Sequence, residues 1–170
     1  LKRDATEVTR ITQGVTQQAL VNPQIHFTLT HNGRQILDSL TTDHLQYRIA
    51  ELLGSELSQE LLPVEADDGR NRLEGFVSKP VFTRSNASSQ YFYVNGRFIR
   101  DKVILHAIQH GYRHLLPKGQ YPVLVLKLFL DPTLVDVNVH PAKAEVRFAF
   151  QQEVHQFVSH AIQETLKQNS

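Results

Sequence analysis

The sequence predicts an α+β fold, with helices packed mainly on one face of a mixed β-sheet. Three observations lead there. Asn32-Gly33, Asp68-Gly69 and Asn95-Gly96 each sit between short apolar runs, and such dipeptides mark tight hairpins because both positions tolerate positive φ. "YPVLVLKLFL" (residues 121 to 130) is nearly continuous in hydrophobes, as expected of a central strand covered on both faces. Four other segments carry apolar residues at helical intervals. Arranged as α, ββ, α, ββ, ββ, α, ββ, α, these elements match helices segregated to one side of a sheet.

The first helix opens at "RDATEVTRITQGVTQQAL", where Asp4 and Glu7 have the spacing of a capping box. Ala5, Val8, Ile11, Val15 and Ala19 form its stripe, and Pro23 closes it. Ile25, Phe27 and Leu29 then alternate into the Asn32-Gly33 hairpin. "TDHLQYRIAELLG" reads as a second helix on Leu45, Ile49, Leu52 and Leu53, stopped by Gly54. Two strands follow about Asp68-Gly69, and "NASSQ" is a loop tip too short to separate domains. "QYFYVNGRFIRD" is the next hairpin. Asp101 caps a helix with Ile104, Ala107, Ile108, Gly111 and Leu115 on its apolar face. The continuous strand turns at Asp131-Pro132 into "VDVNVH", which alternates with period 2 until Pro141 removes a donor and restricts His140. Val154, Phe157, Val158, Ala161 and Ile162 mark a last helix.

At 170 residues, 41% hydrophobic and 21% charged, the chain is expected to form one domain with one substantial core. No apolar run approaches the roughly 18 residues of a membrane span, and a cytoplasmic setting is expected. With no cysteine there are no disulfides and no thiolate zinc sites. Methionine is absent too, so the chain is expected to be a piece of a longer protein. Net charge is only +1, but it is unevenly spread: residues 1 to 90 hold nine Lys/Arg against eleven Asp/Glu, residues 91 to 170 nine against six, with six of the nine histidines. A second half biased this way is compatible with a polyanionic partner.

Among candidate site residues, His106, His110 and His114 recur every four residues, with Lys102 extending the row. That lysine repels a cation and no carboxylate joins the row, so no metal site is expected. Ser88 and Ser89 lack a nucleophile elbow, and His140 with Asp136 lies along one strand, which leaves a hydrolase without support. Neither a Walker-type loop nor GxGxxG is present. Arg97 follows a hairpin turn directly, with Arg100 and Lys102 close behind; cations at such a rim can track a phosphate backbone, although solvated hairpin ends are commoner. Lys143 lies just past the proline stop, between Ala142 and Ala144. A rigid anchor and small neighbours give its ammonium a defined exit point, suited to a terminal phosphate, where an ordinary loop lysine is the plain alternative.

"YFYVNGRFIRD", followed by "VDVNVHPAKAEVRF", closely resembles the MutL family of DNA mismatch repair proteins in the second half of their N-terminal ATPase region. The likeness runs through nearly the whole chain and is most specific across residues 91 to 148. It implies a transducer domain over 1–170, similar in fold to domain two of a small-subunit ribosomal protein and lying behind a GHKL-type ATPase domain. On that resemblance Lys143 reaches the γ-phosphate of ATP held, with Mg, by the neighbouring domain, while Arg97, Arg100 and Lys102 face DNA. It also implies a MutS-type mismatch sensor, a downstream nuclease or helicase and a self-dimer as partners. The chain lacks the ATP motifs and the C-terminal dimerisation domain of the family, so it is expected to hold no cofactor and catalyse nothing alone. Two alternatives are the transducer of a gyrase-like topoisomerase and a ribosomal-type RNA-binding domain, the latter expected to have a pI well above about 8.2.

Overall fold

The computed structural model describes residues 2–170, apart from the side chains of Lys2, His140 and Pro141. The chain divides into two compact units, Leu1–Gln59 and Glu60–Ser170.

The first unit holds α1 (Lys2–Val21), the hairpin of β1 (Phe27–His31) and β2 (Arg34–Ser39), α2 (Leu45–Leu53) and a 3-10 turn at Ser55–Gln59. Lys2 and Arg3 are already helical, as good helix formers should be, so Asp4 lies inside the first turn and the expected capping box is not made. Its carboxylate still meets the positive end of the helix dipole. The apolar stripe is buried only at its C-terminal end: Ala19 is covered, but Ala5 is exposed and Ile11 is 49% exposed. The Asn32-Gly33 turn forms as expected, with φ of 51° and 73°, the paired positive values of a type I′ turn. α2 ends at Gly54, also as expected.

What the apolar pattern of α2 does not show is Arg48, which is 1% exposed. Its Nη1 donates to the carbonyls of Ala19 and Asn22 at 2.9 and 2.8 Å. Nη2 donates to Ile25, Ser39 and Leu40 at 2.8, 3.2 and 2.6 Å. One planar fork therefore gathers carbonyls from the end of α1, the following loop and the end of β2. Carbonyls at a helix end have no intrahelical donor, and a guanidinium supplies several from one side chain.

In the second unit, five strands form a mixed sheet in the order β3-β4-β7-β5-β6. They are β3 (Leu61–Asp67), β4 (Arg72–Ser78), β5 (Gln90–Val94), β6 (Arg97–Ile99) and β7 (Leu124–Phe129). Only β5 and β7 run parallel. α3 (Lys102–Gly111) and α4 (Gln151–Gln168) share the core with Leu62, Leu73, Phe92, Ile99, Leu124, Leu126 and Leu128 on one sheet face. Gly111 lets the two helices close up: a Cβ there would lie 2.8 Å from the Cβ of Ile162.

As expected, β7 is central, but only its start is covered on both faces. Val125 is fully buried, beside the ring cluster of Tyr91, Tyr93 and Phe98. Further along, Lys127 pairs with Glu74 at 3.5 Å, and Arg72 lies 4.2 Å from the Phe129 ring centroid. Charged and aromatic side chains therefore carry the end of that face.

The segment after β7 departs most from expectation. β8 (Val135–His140) stops at Pro141 as expected, but the chain returns as β9 (Glu145–Phe148), antiparallel to it. Four residues after a proline are too few for periodicity alone to reveal a strand. Val146 and Phe148 of β9 nevertheless point into the core.

Candidate functional site

Lys143 ends a 3-10 turn, Pro141–Lys143, between β8 and β9. The segment is therefore a hairpin tip. Ala144 leaves it with φ of 57°, a left-handed conformation that a small side chain tolerates better than a β-branched one. The Ala144 carbonyl accepts the N–H of Arg100 at 2.9 Å, so the tip is fastened to the junction between β6 and α3. Lys143 itself is exposed and has no ion-pair partner among the described residues. A fixed backbone thus carries a free ammonium on a long stem.

That same junction holds two of the other expected cations. Arg100 is exposed, with its guanidinium 5.4 Å from the Phe98 ring centroid and a long 3.4 Å bond to the Ser88 carbonyl. Asp101 caps α3 as expected, accepting from Val103 N–H at 2.9 Å, and Lys102 follows it, exposed. Arg97 is exposed after the Asn95-Gly96 turn, whose φ values are 50° and 86°. By strand alternation Arg97 shares the side of Ile99, and Phe98 the opposite one. Arg97 and Arg100 therefore leave the sheet on different sides, with Arg97 at the turn that opens β6 and Arg100 and Lys102 beyond its other end, beside the Lys143 tip.

The histidine row is altered. α3 stops at Gly111, where Tyr112 is buried with its hydroxyl bonded to the Ser78 carbonyl. His114 then takes φ of 69° and leaves the row, and Leu115 is 51% exposed, off the expected apolar face. His155 of α4 joins instead: its Nε2 lies 2.7 Å from His106 Nδ1, and its ring centroid 5.6 Å from that of His110. Burial first, then His106 and His110, holds the pKa of His155 below the usual imidazole value. Its neutral form is thus favoured by folding. That contribution to stability is complete above the unfolded value and is lost as pH falls through the lowered one. Among the described residues no group of three or more His, Asp or Glu is arranged to hold a metal ion. The pairing with His155, 49 positions from His106, had no local signal. The side chain of His140, which shares β8 with Asp136, lies outside the described ones.

No helix is long and apolar enough to cross a membrane among the described residues. The family described as "DNA mismatch repair protein, C-terminal domain" matches residues 49–167. Proteins named DNA mismatch repair protein MutL from Herminiimonas arsenicoxydans and Syntrophotalea carbinolica are 45% and 47% identical, over 100% and 99% of this chain. The chain spans only 28% and 27% of those relatives' own length. Among solved structures, the N-terminal domain of a DNA repair protein matches with TM-score 0.79 at 21% identity, covering 99% of this chain and 56% of that one. The Aquifex aeolicus MutL ATPase domain complexed with ADP matches with TM-score 0.59 at 22% identity, over 93% of this chain and 50% of that one. The Myxococcus xanthus gyrase B subunit reaches 0.56 at 13% identity, over 95% and 49%. At such identities these structures show a common fold, shared by repair and gyrase proteins alike; it is the family match that separates them.

Proposed function

Since the chain belongs to the MutL family of DNA mismatch repair proteins, we propose that it is the transducer part of a MutL-type ATPase, sensing nucleotide through Lys143 and offering DNA a basic rim. The observation that carries this reading is the Lys143 tip: an ammonium with no ion-pair partner among the described residues, on a hairpin turn fastened to the β6–α3 junction. A cation needed only for solubility requires no such anchoring, whereas a phosphate sensor needs a defined origin for its reach. Because no Walker-type loop occurs in this sequence, the neighbouring domain would hold ATP and Mg. Hydrolysis then belongs to the joined domains and not to this chain alone. Arg97, Arg100 and Lys102 would contact DNA phosphates. The intact protein would self-dimerise in the cytoplasm and work with a MutS-type mismatch sensor and a downstream nuclease or helicase.

The sensing role is tested with full-length protein and an ATP analogue carrying a photoreactive group on its γ-phosphate. After irradiation, the label is expected on the peptide containing residues 141–147. Labelling confined to other segments of this chain would remove Lys143 from the nucleotide.

For DNA, Arg97→Glu in the full-length protein is expected to weaken binding to all sequences alike. The slope of log K against log salt should flatten by roughly one to two units, because one phosphate attraction is removed and one repulsion added. Unchanged affinity and slope would make Arg97 a solvated turn residue.

A further inference from the structure

α3 and α4 begin on either side of one cleft. Lys102, Val103 and His106 face Gln151, Gln152 and His155 across about 590 Å³. A contact as short as 2.7 Å between His106 Nδ1 and His155 Nε2 needs a proton between the two nitrogens. One ring donates and the other accepts, so the pair cannot stay bonded with both rings protonated.

The other charged or titratable groups at the pair are Lys102 beside it and His110 within ring contact. Among the described residues no carboxylate lines the cleft. Asp101 is committed to its cap, and Glu153 in the first turn of α4 holds Arg70 at 2.8 Å. α4 adds a second positive element, for its N-cap is Phe150, which offers no side-chain acceptor. The N–H groups of its first turn have no intrahelical partner, and they lie at the positive end of the dipole. An ammonium, three imidazoles, two amide side chains and an uncapped helix start therefore converge, and the nearby carboxylates of Asp101 and Glu153 are engaged elsewhere.

We propose that this cleft is a proton-linked phosphate site taking one backbone phosphodiester of DNA, held by Lys102, His106, His155 and the first turn of α4. For the source of that phosphate it rests on the DNA reading above, but it adds a contact distinct from Arg97 and Arg100. With no anion between the rings, a second proton is opposed by burial and by the neighbouring imidazoles, the same causes that lower the His155 pKa. A phosphate oxygen reverses the balance. Both rings become donors to it, and their mutual bond is exchanged for two charge-assisted ones. A phosphodiester stays singly charged across the working pH range, so the proton comes from solvent and goes to the imidazole that had been the acceptor. A metal ion would have to displace that shared proton and tolerate Lys102.

The test uses full-length protein and a fluorescein-labelled duplex, with anisotropy read at pH 7.8 and 5.8 and equal ionic strength. Wild type is expected to bind about 10-fold more tightly at the lower pH, and the double variant His106→Gln, His155→Gln to keep at most about 3-fold of that gain. Calorimetry with the duplex, and separately with inorganic phosphate, in buffers of different ionisation enthalpy should show about one proton taken up by wild type and less than half of that by the variant. Lys102→Gln should weaken binding at both pH values, which keeps the site testable if the double variant folds poorly. Inorganic phosphate, exchanged for chloride at pH 5.8, should compete with the duplex more strongly in wild type than in the double variant. Equal tightening of both proteins on acidification would overturn the proposal. Proton-linked phosphate binding without histidine-dependent duplex binding would leave an anion site and overturn DNA as its source. A duplex that binds at neither pH would defeat the broader DNA reading, while the phosphate calorimetry still judged the cleft. Zinc binding lost in His155→Gln, with no response to phosphate, would make it a metal site and overturn the proposal.

Discussion

Full-length protein carrying Lys143→Ala is expected to hydrolyse ATP with kcat about 10- to 1,000-fold below wild type, while melting at the same temperature. Withdrawing one charge-assisted contact from a transferring phosphoryl group costs a few kcal/mol of barrier, which is the source of that range. The fold should not respond, because Lys143 is exposed and such a residue contributes within about 0.5 kcal/mol. The backbone of the tip is held by the Ala144 carbonyl, which the substitution leaves in place. Lys143→Arg should not restore the rate, since a planar fork approaches phosphate differently from an ammonium. The measurement is single-turnover hydrolysis on protein matched to wild type in melting temperature. A normal rate would reduce Lys143 to a turn residue.

Arg48→Met should be the most damaging single change in the first unit, costing upwards of about 3 kcal/mol, because several buried acceptors lose their donor at once. Methionine fills similar volume but offers no donor, and the carbonyls of Ala19, Asn22, Ile25, Ser39 and Leu40 lose theirs together. Each orphaned buried acceptor costs roughly 1–3 kcal/mol, reduced where water can enter. Arg48→Lys should recover only part, because a single ammonium cannot span five acceptors shared between two nitrogens. Hydrogen exchange in the full-length protein reads this locally, with amides of Glu60–Ser170 as the internal reference. Full protection in the lysine variant would mean that charge and not the fork is what matters.

Those two residues also mark the limit of what is legible in sequence. Lys143 stands out because its setting is local: a proline stop, small neighbours and a strand that ends on schedule. Asn32-Gly33 and Asn95-Gly96 are readable for the same reason, since a dipeptide dictates its own φ. Arg48 is not. Its acceptors lie 8 to 29 positions away, and an arginine within an amphipathic helix looks like any solvated one. The parallel pairing of β5 with β7 was equally hidden, as was the entry of His155 into the histidine cluster. Each depends on a meeting between distant segments that leaves no periodicity behind.

The position of β7 also dictates an order of assembly. β3 with β4 and β5 with β6 are local hairpins, able to form as soon as their own residues emerge. β7 bonds to β4 on one side and β5 on the other, yet Leu124 is made long after both. Until it arrives, a nascent chain carries two half-sheets whose inner edges are unpaired and rich in valine, leucine and aromatic side chains. Open edges of that kind recruit strands from other chains. β7 is therefore a keystone laid last, and changes that delay its docking should show first as lost yield during synthesis, even where the finished molecule melts normally.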